Sequence, residues 1–208
     1  MKISASFLSS KDLVNDLKRL NETDVDYIHV DIMDGKFVKG KTLPFSEMKN
    51  IYKYTSKRLD VHLMVDDPKA YIPLYASLNT EFITFHVEVD KNIEEGLKLV
   101  HDYSIKAGLA IKPNTKVSDL IPYLPFIDLI LVMSVEPGTG GQAFIEETTN
   151  KIKEIRSLID TYKLPIVINV DGGINDKTKN ACCGADILVS GSYIINGENF
   201  QEKVSSLR

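Results

Sequence analysis

The chain has no apolar run approaching the roughly 18 residues that a membrane-spanning helix needs. Its opening stretch, MKISASFLSSKD, carries too short an apolar core for a signal peptide. Both absences point to a cytoplasmic protein. There is no basic excess: 25 Lys and Arg stand against 29 Asp and Glu, a formal charge of -4, which excludes a broad cationic surface for nucleic acid or an anionic membrane. Cysteine is almost missing. The two cysteines are neighbours, Cys182 and Cys183, which is neither a disulfide framework nor a spaced metal motif and reads as two small residues packed in a helix. No low-complexity tract, long charge run or linker rich in Pro, Gly and Ser divides the 208 residues, so a single domain over 1–208 is expected.

What the chain does have is a regular alternation. Short apolar runs predict strands at 3–7, 26–32, 58–64, 82–86, 107–111, 128–134, 166–170 and 186–190. Between them lie amphipathic patterns such as KDLVNDLKRLNE, NIEEGLKLVHDY and IEETTNKIKEIRSLIDTY, with apolar residues three and four apart. Runs such as 128–134 and 186–190 are apolar almost throughout, as a parallel sheet covered on both faces requires. Strict β-then-α alternation with eight strands predicts an α/β fold, the (β/α)8 TIM barrel, with a doubly wound open sheet as the alternative. A barrel collects its chemistry at the C-terminal ends of its strands.

Those ends carry an unusual set. In YIHVDIM the apolar Ile28, Val30 and Ile32 share one face, which leaves His29, Asp31 and Met33 on the other. The third strand repeats the habit with His62 and Met64, and the seventh, VINVDGG, delivers Asp171. A buried carboxylate is costly unless it is paired or coordinates a metal. Two imidazoles and two carboxylates suit one borderline divalent cation, Zn, Fe, Mn or Co, without choosing among them. Glycines cluster separately: Gly138, Gly140 and Gly141 after the sixth strand, Gly172 and Gly173 after the seventh, and Gly191 with Ser192 after the eighth. Such loops let backbone N–H groups approach an anion closely, and barrels often hold phosphate there.

Together ASFLSSKD, HVDIMDGKFV, DVHLMV, TFHVEV, GLAIKP, LVMSVEPGTGGQ, VDGGI and GADILVSGSYI resemble, in order and over nearly the whole chain, the ribulose-phosphate 3-epimerase family. The resemblance implies a (β/α)8 barrel that interconverts ribulose 5-phosphate and xylulose 5-phosphate with one divalent metal ion per subunit, in a homo-oligomer. It further implies that His29, Asp31, His62 and Asp171 bind the metal and that Asp31 and Asp171 are the acid and base. By the same resemblance Ser6 and His62 would touch the sugar, Gly138, Thr139, Gly140, Gly141, Gly172, Gly173, Gly191 and Ser192 would line the phosphate and substrate pocket, and Met33, Met64 and Met133 would match the methionines that wall the reacting carbons. The chain departs from the family pattern at Ala5, in KFVKG (36–40, with Lys36, Lys39 and Gly40) and at Thr139, which bears on how loops close over the substrate.

Chemistry supports the implied roles. Inverting the carbon beside a ketone needs a base on one face and an acid on the other, and Asp31 and Asp171 belong to strands three apart around an eight-strand ring. The negative oxygen formed between the two proton transfers needs a fixed positive partner, which a divalent ion provides. The expected partner is a small phosphorylated ketose. A six-carbon ketose phosphate such as allulose 6-phosphate is the rival substrate, and a non-catalytic sugar-phosphate-binding barrel is the rival from another class. His86 and His101 are left outside the expected site.

Overall fold

The computed structural model describes residues 1–89 and 92–208. Among these, β1 (Lys2–Ser6), β2 (Tyr27–Met33), β3 (Arg58–Met64), β4 (Thr80–His86), β5 (Lys106–Ile111), β6 (Leu129–Met133), β7 (Val167–Asp171) and β8 (Ile187–Ser190) form one closed barrel in chain order. Every adjacent pair is parallel, and β1 closes the ring on β8. All eight predicted strands are present, each within two residues of its expected start and end. The (β/α)8 barrel is the fold, and the open-sheet alternative is excluded by that closure.

Strict strand-then-helix alternation does not hold. Proper helices follow β1 (α1, Leu13–Asn21), β3 (α3, Pro68–Ala76), β4 (α4, Ile93–Asp102) and β6 (α5, Thr148–Tyr162), and short helices α6 (Ser192–Ile195) and α7 (Phe200–Ser206) follow β8. After β2 there is a single turn, α2 (Phe45–Met48), continued as 3-10 helix over Lys49–Lys53. The connection after β5 is 3-10 helix over Val117–Phe126, and Pro122 and Pro125 inside it explain why: each removes an N–H that an α-helix would need. The connection after β7 is a 3-10 turn, Lys179–Cys182, so the cysteine pair is not in an α-helix; Cys182 is buried and Cys183 exposed. No helix of the described residues is long and apolar enough to cross a membrane.

The main core lies between barrel and helices, where Ile28, Val30 and Ile32 of β2 meet residues such as Leu17, Leu20 and Ile51. The alternate residues of each strand point into the barrel. Register then decides the neighbours: His29 pairs with Asp60, Asp31 with His62, Met33 with Met64, Ser6 with His29 and Met133 with Asp171.

Candidate metal centre and active site

The polar inward face of β2 lies in the same row as those of β1 and β3. His29 and His62 are fully buried and Asp31 nearly so, while the Asp171 side chain at the end of β7 stays 18% exposed. His29 Nε2 is 3.3 Å from Asp31 Oδ1 and 3.7 Å from Asp171 Oδ2. His62 Nδ1 is 3.2 Å and 3.8 Å from the same two oxygens. One donor atom from each of the four residues lies within 4.8 Å of the other three. Donors that share an ion at roughly 2.0–2.2 Å stand about 3–4 Å apart, so the spacing fits. A further sign is that His29 Nε2 is buried and makes no hydrogen bond; an unsatisfied imidazole nitrogen beside two carboxylates suits a ligand position.

Electrostatics drive the two carboxyl groups apart. Burial works to raise the Asp31 pKa, but His29 and His62 beside it prevail and hold it far below the usual carboxylate range. For Asp171, burial dominates and the nearby charge of Asp31 adds to it against the pull of His29, pushing it up to about 6. Among the protein groups alone, Asp171 therefore takes up a proton more readily than Asp31. Burial lowers the proton affinity of His29, yet Asp31 and Asp60 raise it well above the ordinary value.

Three of the four side chains are held from behind, and Asp171 is fixed through its backbone. His29 Nδ1 faces Asp60 Oδ2 at 2.9 Å, and that oxygen also accepts from Ser4 Oγ at 2.8 Å and Asn169 Nδ2 at 3.0 Å. The Ser6 hydroxyl donates to Asp31 Oδ2 at 2.9 Å. His62 Nε2 meets His86 Nε2 at 2.9 Å, and His86 Nδ1 meets Glu88 Oε2 at 2.9 Å. The Ser134 hydroxyl lies 2.9 Å from the Asp171 carbonyl and 2.7 Å from that of Gly172, tying the ends of β6 and β7 together.

Asp60, Glu88 and Asn169 are supporting neighbours absent from the expected site, and His86, left outside it, joins them. A signal was present: Asp60 shares the parity of His62 on β3, and Glu88 shares that of His86. Exposed His101 instead pairs with Asp128 at the surface, 2.9 Å away, and takes no part in the cluster.

A cavity opens above the cluster. It is lined by Ser6, Asp31 and Met133, by the loop Gly138, Thr139, Gly140 and Gly141, and by Asp171, Gly172, Gly173, Gly191 and Ser192. Nearly all the expected substrate residues thus share one cavity; His62 lies beneath it. Of the three methionines, Met133 alone lines it. Met33 and Met64 pack together with Val38 at the mouths of β2 and β3. Gly173 has φ +65, and a Cβ there would stand 2.5 Å from the Phe144 backbone nitrogen, so only glycine fits this turn. The departing KFVKG loop reaches the same rim: a Cβ on Gly40 would lie 2.6 Å from Met33 Sδ and 2.7 Å from the Gly138 carbonyl oxygen. The loops after β2 and β6 therefore touch across the cavity mouth.

Comparison with known proteins gives a consistent result. A family model described as the ribulose-phosphate 3 epimerase family matches residues 2–195. The chain is 37% identical over 185 residues to ribulose-phosphate 3-epimerase of Mycobacterium bovis, covering 88% of this chain and 81% of that one. It is 39% identical over 213 residues to the enzyme of that name from Buchnera aphidicola, covering 99% and 93%. Among solved structures, 3-hexulose-6-phosphate synthase from Salmonella typhimurium superposes with a TM-score of 0.67 at 17% identity, over 100% of this chain and 96% of that one, which speaks to the fold alone.

Proposed function

The chain belongs to the ribulose-phosphate 3 epimerase family, and on that premise we propose that it interconverts D-ribulose 5-phosphate and D-xylulose 5-phosphate by inverting the third carbon. The observation that carries this reading is the convergence of Asp31 on β2 and Asp171 on β7, from well-separated strands of the ring, on one four-residue cluster beneath the cavity. One of the two, ionised, removes the proton from one face of the carbon, and the other, protonated, delivers one to the other face. In the reverse direction the two exchange roles.

His29, Asp31, His62 and Asp171 would hold the divalent cation, Zn, Fe, Mn or Co, because imidazole nitrogen and carboxylate oxygen are donors each of these accepts. When bound, such an ion supplies Lewis-acid stabilisation of the negative charge that develops on the substrate oxygens. Ser6 fixes Asp31 through its second oxygen and keeps the first turned toward the cluster. The glycine loops 138–141 and 172–173, with Gly191 and Ser192, admit the phosphate against backbone rather than side chain. Binding energy from that remote group orients the third carbon between the two aspartates. Met133 gives the cavity a non-ionising wall that limits water beside the reacting carbon.

Turnover of ribulose 5-phosphate in deuterated water tests the proposal. Deuterium at the third carbon, with xylulose 5-phosphate accumulating, is the expected result. No incorporation would overturn the enzymatic reading, and faster reaction of a six-carbon ketose phosphate would overturn the substrate.

A further inference from the structure

The contact between His62 and His86 carries a direction. Two imidazole nitrogens 2.9 Å apart cannot both present lone pairs or both present N–H groups, so one donates and the other accepts. What decides which is the far end of the chain. Glu88 Oε2 faces His86 Nδ1 at 2.9 Å, while Oε1 accepts from the Lys112 backbone N–H at 2.8 Å and from the Thr115 hydroxyl. An ionised carboxylate only accepts, so His86 Nδ1 carries the hydrogen and His86 Nε2 is left as the acceptor. His62 Nε2 must then be the donor, and His62 Nδ1, 3.2 Å from Asp31 Oδ1 and 3.8 Å from Asp171 Oδ2, is the atom left to offer a lone pair to an ion shared with those carboxylates. With no ion between them, the Asp31 contact calls for a hydrogen on Nδ1 and competes with the pull from Glu88.

The anchor of this chain is itself held. The Lys151 ammonium of α5 donates to the carbonyls of Lys112, Pro113 and Thr115 at 2.8, 2.6 and 2.6 Å, so the loop that grips Glu88 is pinned to a helix. Phe37, from the loop after β2, covers His86 with ring centroids 4.8 Å apart and shields the link from water.

We propose that His86 and Glu88 are positioning residues that set the tautomer of His62, so that its Nδ1 and not its Nε2 faces the metal-binding cluster. The opposite imidazole is oriented in one step, by Asp60 against His29 Nδ1, and presents Nε2. The two histidines thus offer opposite ring nitrogens to one cluster, and the second needs an intermediary because its carboxylate sits on the loop after the next strand. This inference rests on the metal reading of the four-residue cluster.

Glu88→Gln is the informative variant. It is nearly isosteric, but the oxygen held by Lys112 N–H and Thr115 must stay an acceptor, which turns the amide N–H toward His86 Nδ1. That reverses each hydrogen bond in the chain and puts a hydrogen on His62 Nδ1. Zn²⁺ affinity, measured by chelator competition, is expected to fall roughly 10- to 100-fold, the usual effect of removing a group that orients a ligand.

Long-range proton–nitrogen correlation spectra of the ¹⁵N-labelled, Zn²⁺-loaded wild type supply a second readout that needs no variant to fold. His86 is expected as the Nδ1–H tautomer and His62 as the Nε2–H tautomer. A His86 Nε2–H tautomer, or Zn²⁺ affinity unchanged in Glu88→Gln, would overturn the positioning role alone. A wild type that binds no Zn²⁺, Mn²⁺, Fe²⁺ or Co²⁺ would overturn the metal reading and this inference with it.

Discussion

Two walls face each other inside the barrel. On one, β1 to β4 with β7 turn Ser4, Ser6, His29, Asp31, Asp60, His62, His86 and Asn169 inward, joined by hydrogen bonds of 2.8 to 3.2 Å. On the other, β5, β6 and β8 contribute Ala110, Leu129, Leu131, Met133 and Ile187 to an apolar cluster, which Tyr27 at the start of β2 and Phe82 of β4 join from across the barrel. Both walls are buried, so burial does not separate them. The difference is dependence: an apolar residue answers only to the volume around it, whereas each charged residue answers to a named partner whose loss leaves an uncompensated charge. The four-residue cluster is built on the wall with dependence, while the loops that follow β6 and β8 line the cavity above it.

The strongest test of this contrast is at the two carboxylates. Asp31→Asn and Asp171→Asn keep shape and remove the proton-transfer group, and each is expected to lower kcat by roughly 10²- to 10⁴-fold. Steady-state kinetics on ribulose 5-phosphate check this, and near-normal turnover in either variant would end the two-carboxylate mechanism. A step outward, Asp60→Ala and Leu131→Ala are each expected to cost about 2–5 kcal/mol of stability. They should part in metal affinity. Removing Asp60 releases His29 and is expected to weaken it roughly 10- to 100-fold, while Leu131→Ala leaves it within a few-fold. If both variants weaken it equally, the walls do not differ as described.

The mildest effect is in acid. Burial works to raise the Glu88 pKa, but hydrogen bonds from His86, Lys112 N–H and Thr115 prevail and hold it at about 2, below its ordinary 4.5. A carboxylate depressed in the folded state stabilises it above the unfolded value and loses that contribution as pH falls through the folded one. Unfolding free energy should therefore drop as pH goes from 4.5 toward 2, and Glu88→Gln should flatten that limb. Urea unfolding across the window reads the slope; parallel slopes in the two proteins would refute the assignment.

How much of this is legible in the chain follows from the same contrast. Strands announce themselves by local pattern, so all eight can be read, and β4 is expected two residues late only because Thr80 and Glu81 precede its apolar run. His29, Asp31, His62 and Asp171 are legible because a charge on the inward face of an apolar strand is a local anomaly. Their partners are not. Asn169 reaches Asp60 across 109 positions of sequence, and which strands meet inside a ring is fixed by closure, which no short window contains. The connection after β5 breaks the expected alternation for a local reason, the prolines of 117–126, which outweigh the repeating pattern around them.

The register of β2 on β3 pairs Asp31 with His62 and His29 with Asp60. Neighbouring strands stand about 4.8 Å apart, so residues paired across them already fall within the span of one ion, and the centre is drawn on the lattice of the sheet itself. A slip of one residue would turn the whole strand over, sending Ile28, Val30 and Ile32 into the polar interior and the donors into the helix layer. Misassembly and loss of the cluster are then a single error, because the slip that unpacks the core also disperses the four side chains.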